Sequence, residues 1–195
     1  MTPWRRALVL APLFAAITLG ILLTSGRPIF FRQERLGQGK RTFLLVKFRT
    51  MVVGADRRQF EYSSEQDPAI TRIGRWLRRY SLDELPQLWN ILKGYMSLVG
   101  PRPMLPILYE QHWTPLVDVR LQVRPGLTGW QQVNGRNSLT WEEMLARDAW
   151  YVDHASFWLD LRILWRTIGV VLGGEGLYFR QGSQISPDRR PGESE

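Results

Sequence analysis

The sequence predicts an α/β protein, mainly helical with a small β-hairpin. It is expected to be monotopic, held to one leaflet by an N-terminal re-entrant membrane helix and by amphipathic helices at the interface. Three stretches carry that expectation. Residues 7–23, ALVLAPLFAAITLGILL, are apolar and uncharged. Residues 29–51 read as two short strand segments around a Gly-Gln-Gly-Lys turn. Residues 156–172 repeat large apolar side chains at helical spacing, with charges breaking the run.

The chain has 195 residues, enough for one domain with a real core and appendages. A formal net charge of +8 implies an anionic partner: nucleic acid, a lipid surface or phosphorylated substrates. With no cysteine, disulfides and thiolate metal sites are excluded, and two isolated histidines, His112 and His154, argue against a histidine-based zinc site or a serine triad. Nine tryptophans in a basic chain suit the membrane–water interface.

The 7–23 run is a little short of the ~20 residues that cross a bilayer, and no small-residue cleavage site of a secretory signal follows it. Arg5 and Arg6 precede it, and Arg27, Arg32 and Arg35 follow. Both ends therefore satisfy the positive-inside rule on the cytoplasmic face. Pro12 removes a helical hydrogen bond and bends the axis, so a helix that enters and leaves by one side is expected ahead of the alternative, a true span. Residues 1–26 are expected to form this anchor, 27–180 the cytoplasmic domain, which the acidic pair and the resemblance given below make the catalytic one, and 181–195 a disordered polar tail.

Beyond the hairpin, where Gly37 and Gly39 need only be turn glycines, residues 54–67 are polar and read as a loop or short helix. In ITRIGRWLRRYS, Arg72, Arg75 and Arg78 or Arg79 recur along an expected helix. Next comes SLDELPQLWN. Ser81 and Glu84 have the spacing of a capping box, and Asp83 is an alternative N-cap. Either way a helix begins, with Leu85, Leu88, Trp89 and Leu92 on one apolar stripe. LVGPRPM (98–104) and VRPGLTGWQQVNGRN (123–137) are rich in Gly and Pro, and read as rigid loops that aim Arg102, Arg124 and Arg136. Asn134-Gly135 also has the form of a hairpin turn. The 156–172 helix places Trp158, Leu161, Trp165, Ile168 and Leu172 on one face, either in a core or flat in the headgroup layer.

Arginine forks partner phosphate naturally; carboxylates do not, unless one is a nucleophile or a metal ligand. A carboxylate that attacks phosphorus gives an acyl phosphate, and a second one can help to hold Mg²⁺. Nearby cations are expected to keep Asp83 ionised at neutral pH.

KFRTM, SLDELPQLWNILKGYMSLVGPRP and VRPGLTGWQQVNGRN, in this order behind a basic-flanked apolar segment, resemble the bacterial sugar transferase family, the monotopic polyprenyl-phosphate phosphoglycosyl transferases. The similarity runs from about residue 4 to residue 180. It implies that Asp83 and Glu84 are catalytic and bind Mg²⁺. It also implies that Asp83 attacks the phosphate next to the sugar of a UDP-sugar, releasing UMP, and that a polyprenyl phosphate then takes the phosphosugar. Arg78 and Arg102 would hold phosphates, with Arg124 and Arg136 as further substrate contacts. The implied setting is the bacterial inner membrane, with the site on its cytoplasmic face, and the implied partners are the two substrates and membrane lipid rather than nucleic acid. Two departures stand out: Ala11 occupies the place of the family's serine before Pro12, behind a short first arm, and Tyr95 replaces a usual aspartate. A non-catalytic, membrane-tethered basic module for anionic lipid or nucleic acid is the alternative, and it leaves the acidic dyad unexplained.

Overall fold

The computed structural model describes residues 3–55 and 67–173. In chain order the elements are α1 (Pro3–Ser25), β1 (Phe30–Leu36), β2 (Thr42–Phe48), α2 (Arg72–Arg79), α3 (Gln87–Leu92), β3 (Ser97–Val99), α4 (Pro106–Gln111), α5 (Pro115–Arg120), β4 (Gly126–Thr128), α6 (Trp141–His154) and α7 (Phe157–Gly173). The fold is thus mixed α/β, mainly helical, with two small sheets. The tail expected over 181–195, and residues 56–66 of the expected loop, lie outside the described residues. Among the described residues no helix is long and apolar enough to cross a membrane.

α1 contains Pro12 and buries Ile17 and Ile21 against Phe48 of β2 and Leu77 of α2. Its C-terminal carbonyls are capped from a distance: Arg49, just past β2, donates from Nη2 to the carbonyls of Ser25 and Gly26. This guanidinium satisfies acceptors that a helix end otherwise leaves to water. β1 and β2 form the expected hairpin, antiparallel from Phe30↔Phe48 to Leu36↔Thr42. Phe43 and Leu45 face inward to Met96, while Leu44 between them is exposed, as the period of two requires.

α2 begins at Thr71, whose hydroxyl accepts from the Gly74 backbone N–H at 3.0 Å. A Cβ on Gly74 would lie 2.1 Å from the Thr50 carbonyl oxygen, so only glycine lets α2 approach the end of β2 this closely. The expected helix start at Ser81 takes another form. Ser81 is left-handed (φ 52°) and makes no capping bond; a 3-10 turn covers Leu82–Glu84, and α3 starts only after Pro86. Neither the Ser81–Glu84 capping box nor an Asp83 cap is formed: Ser81 is left-handed, the Glu84 carboxylate is held in ion pairs, and the residue that caps α3 is Pro86. The expected stripe is split: Leu85 packs in the core with Leu77, whereas Trp89 is 58% and Leu92 80% exposed, and Gln87 and Asn90 are 2% exposed. Asn90 is buried for a reason. Its side chain donates to the Leu44 carbonyl (2.7 Å) and accepts from the Val46 N–H (3.2 Å), sealing the free edge of β2.

The second sheet, β3 with β4, is a parallel pair (Ser97↔Gly126, Val99↔Thr128). It brings LVGPRP beside PGLTG, segments about 25 residues apart, and Asn134-Gly135 joins no hairpin strands. Gly135 (φ 123°) instead leads into a 3-10 turn at Arg136–Ser138. α7 packs on this sheet through Ile163 in a cluster with Val99, Val133 and Tyr151, and leaves Trp158, Leu161, Trp165, Ile168 and Leu172 exposed along its other face.

Candidate active site

Four segments converge on the dyad. The left-handed Ser81 reverses the chain after α2, and Leu82 and Leu85 anchor the 3-10 turn in the α1–α2 core, so that Asp83 between them is buried. Glu84 Oε1 accepts from Lys47 Nζ of β2 at 2.8 Å and from Arg102 Nη2 of the Pro-Arg-Pro loop at 2.9 Å. Arg136 Nη2 lies 3.3 Å from Ser81 Oγ. Arg78, from the last turn of α2, donates from Nε to Thr50 Oγ1 at 2.9 Å, and its charge acts on Asp83.

The electrostatics separate the two acids. Burial raises the pKa of both, and for Glu84 the charges of Lys47 and Arg102 overcome it, leaving this carboxyl well below the usual range. For Asp83 burial wins: its pKa is raised despite Lys47, Arg78 and Arg102, and the charge of Glu84 adds to the rise. The cations therefore do not hold Asp83 to an ordinary acidity, because burial outweighs their attraction. Desolvation of a carboxylate outweighs attraction unless a cation makes direct contact. Burial lowers the pKa of Lys47 and Arg136, whereas Glu84 raises that of Arg102.

Of the expected site residues, the structure gathers Asp83, Glu84, Arg78, Arg102 and Arg136. Arg124 is exposed and is not among the charges acting on the dyad. Lys47 and Gln131 belong to the neighbourhood without having been singled out. Lys47 had a signal: parity along β2 puts it on the inward face with Phe43 and Leu45, where a lysine needs a partner. Gln131 had none. Its Nε2 donates to the Arg136 carbonyl (2.8 Å), and its own carbonyl accepts the Arg136 N–H (3.1 Å), holding Arg136 in a left-handed conformation (φ 51°). Tyr95, at the departure from the family pattern, stacks on Phe43.

Among the described residues, Lys47, Arg78, Arg102 and Arg136 thus lie around the two carboxylates. Such a place is suited to an anion with several negative oxygens. Among the described residues there is no group of three or more acidic or histidine side chains that would hold a metal alone. Two adjacent carboxylates nevertheless match the hard oxygen donors that Mg²⁺ takes from protein when phosphates complete its shell. Both ion pairs of Glu84 fall on Oε1.

A dyad inside an arginine and lysine cage is an arrangement suited to a phosphorylated ligand. The model of the family described as "Bacterial sugar transferase" matches residues 5–174, and the chain belongs to that family. It is 44% identical over 173 residues to the uncharacterized sugar transferase EpsL of Bacillus subtilis, covering 88% of this chain and 83% of that one. It is 43% identical over 176 residues to the UDP-glucose:undecaprenyl-phosphate glucose-1-phosphate transferase of Xanthomonas campestris (86% and 36% covered). It is 39% identical over 168 residues to the undecaprenyl-phosphate galactose phosphotransferase of Salmonella typhimurium (78% and 35%). The chain therefore spans most of the Bacillus relative but about a third of the other two. Membership in a transferase family sets aside the non-catalytic module.

Proposed function

We propose that the protein transfers a sugar 1-phosphate from a UDP-sugar to a polyprenyl phosphate, in two displacements at one phosphorus. An Asp83 oxygen attacks the phosphate next to the sugar, the bond to the UMP oxygen breaks, and UMP leaves with that electron pair. A phosphate oxygen of the polyprenyl phosphate then attacks the same phosphorus. The acyl–phosphate bond breaks, the Asp83 carboxylate is regenerated and a polyprenyl diphosphosugar is formed. The names of the Xanthomonas and Salmonella relatives support the reaction class. The observation that carries the residue assignment is the division of labour in the dyad: Glu84 is locked by Lys47 and Arg102, while Asp83 lies beside it within reach of the same charges.

Arg78, Arg102 and Arg136 neutralise the diphosphate, which would otherwise repel an attacking carboxylate. Arg124 is left with a peripheral contact at most. Mg²⁺, held by Asp83 and Glu84 with substrate oxygens, would add charge neutralisation at the phosphates. The exposed apolar faces support a seat at a lipid surface: Leu19 and Leu23 of α1, Trp89 and Leu92 of α3, and the tryptophan-bearing face of α7. We place that surface at the cytoplasmic leaflet of the bacterial inner membrane, with α1 re-entrant, and the reaction at the first membrane step of polysaccharide or glycoconjugate assembly.

The test uses UDP-sugars labelled in the phosphate next to the sugar. Label is expected to remain covalently on the protein when no acceptor is present, and Asp83→Asn is expected to abolish both label and UMP release. An adduct on another residue, or kinetics that require donor and acceptor together, would overturn the covalent route.

A further inference from the structure

The Pro-Arg-Pro loop is held by its carbonyls. Those of Pro101, Arg102 and Pro103 each accept a hydrogen bond, from Gly126 N of β4 (2.9 Å), Arg120 Nη2 of α5 (2.7 Å) and Arg35 Nη1 of β1 (3.1 Å). The choice follows from the sequence, since two of these three residues are prolines and have no N–H to offer. The Arg102 side chain is about two-fifths exposed (41%), and its guanidinium is held at the far end by Glu84, so its direction is set by that ion pair together with the backbone that carries it.

Arg120 is itself buried and held from behind. The same Nη2 lies 2.9 Å from Asp148 Oδ2 of α6; Asp148 is 1% exposed, and its other oxygen has no hydrogen-bond partner. A buried ion pair of this kind is a poor way to stabilise a fold, because desolvation consumes most of the attraction and an apolar pair of like volume does as well or better. Neither residue takes part in the proposed chemistry. What the pair does uniquely is place a charged donor on the Arg102 carbonyl, and Arg102 at its other end meets Glu84 at 2.9 Å.

We propose that Arg120 is a positioning residue for the transfer reaction: fixed by Asp148, it holds the Arg102 carbonyl and thereby aims the Arg102 guanidinium at the phosphate site beside Glu84. This rests on the reading of Arg102 as a phosphate-holding group.

The experiment measures UDP affinity, in the presence of Mg²⁺, by calorimetry on the full chain in detergent, with thermal melting alongside. Four variants are compared with wild type: Arg102→Ala, Arg120→Met, the double variant of these two, and Arg120→Met with Asp148→Leu. Arg102→Ala is expected to weaken UDP about tenfold and Arg120→Met about fivefold, while their combination is no more than about twofold worse than Arg102→Ala alone. Arg120→Met with Asp148→Leu removes the buried charges together. It is expected to melt at or above wild type, yet stay about fivefold weaker for UDP. Losses that multiply in the double variant, or an apolar pair that regains both melting temperature and affinity, would show the pair to be a strut between α5 and α6 and overturn the proposal. Wild-type affinity in Arg102→Ala would instead remove the phosphate role of Arg102, and the inference would fall with it.

Discussion

Asp83 and Asp148 are both buried aspartates with raised pKa values, and their surroundings differ in one respect. Asp148 has a single cation, Arg120, in a balanced pair closed to solvent. Asp83 shares a pocket with Glu84 and four cations. A balanced buried pair needs nothing further. A carboxylate pair set among several cations is instead suited to receive a further anion beside it. The same chemistry of burial thus makes a mechanical fitting in one place and a receptive site in the other, and the count of cations decides which.

The largest effect that tests this contrast is Glu84→Gln. It releases Lys47 and Arg102 from their shared anion; UMP release is expected to fall more than about a hundredfold, and urea unfolding to show a loss of about 3–5 kcal/mol, because two poorly solvated cations lose their partner. Near-normal turnover would make Glu84 a bystander. Next is Lys47→Met, which leaves Arg102 as the one direct partner of Glu84. Turnover is expected to fall about tenfold, and urea unfolding to show a loss of about 1–3 kcal/mol, since a charged hydrogen bond to a buried carboxylate is lost. The smallest effect concerns Asp148, whose pKa burial pushes up to about 6 against the attraction of Arg120. The folded state binds this proton more tightly than the unfolded chain, so the Asp148 contribution improves as pH falls through about 6 toward the unfolded value near 4 and is least favourable above 6. Urea midpoints of wild type and Asp148→Asn, compared from pH 7 to pH 4, are expected to shift in favour of wild type; a constant difference would show that Asp148 does not titrate there.

Two identical spacings show how far the sequence could be read. Thr140-Trp-Glu-Glu143 forms a true capping box, with Glu143 N donating to Thr140 Oγ1 and Thr140 N to Glu143 Oε2. Ser81-Leu-Asp-Glu84 has the same spacing and forms none. One local difference is Pro86, which in a helix capped by Ser81 would lie past the first turn and remove a backbone hydrogen bond. Glu84 is taken by a lysine 37 residues away and an arginine 18 residues away, a stronger attraction than a backbone N–H provides. The hairpin, the α2 helix and the amphipathic α7 were legible because each follows from local periodicity. The parallel β3–β4 pair was not, since three-residue strands carry almost no pattern. Of the four arginines singled out, Arg78 on α2 and Arg102 and Arg136 on loops come to the dyad, while Arg124 does not.

By itself, then, the order of residues determined the elements with a clear period, the acidic pair, the basic loops and the family to which they point, because these depend on neighbours within a few positions. The tertiary structure alone decided which cations meet which carboxylate, why Glu84 became acidic and Asp83 did not, and which face of α3 turns outward. Those outcomes depend on burial and on distances between segments remote along the chain, and electrostatic energy in a poorly solvated interior changes steeply with both.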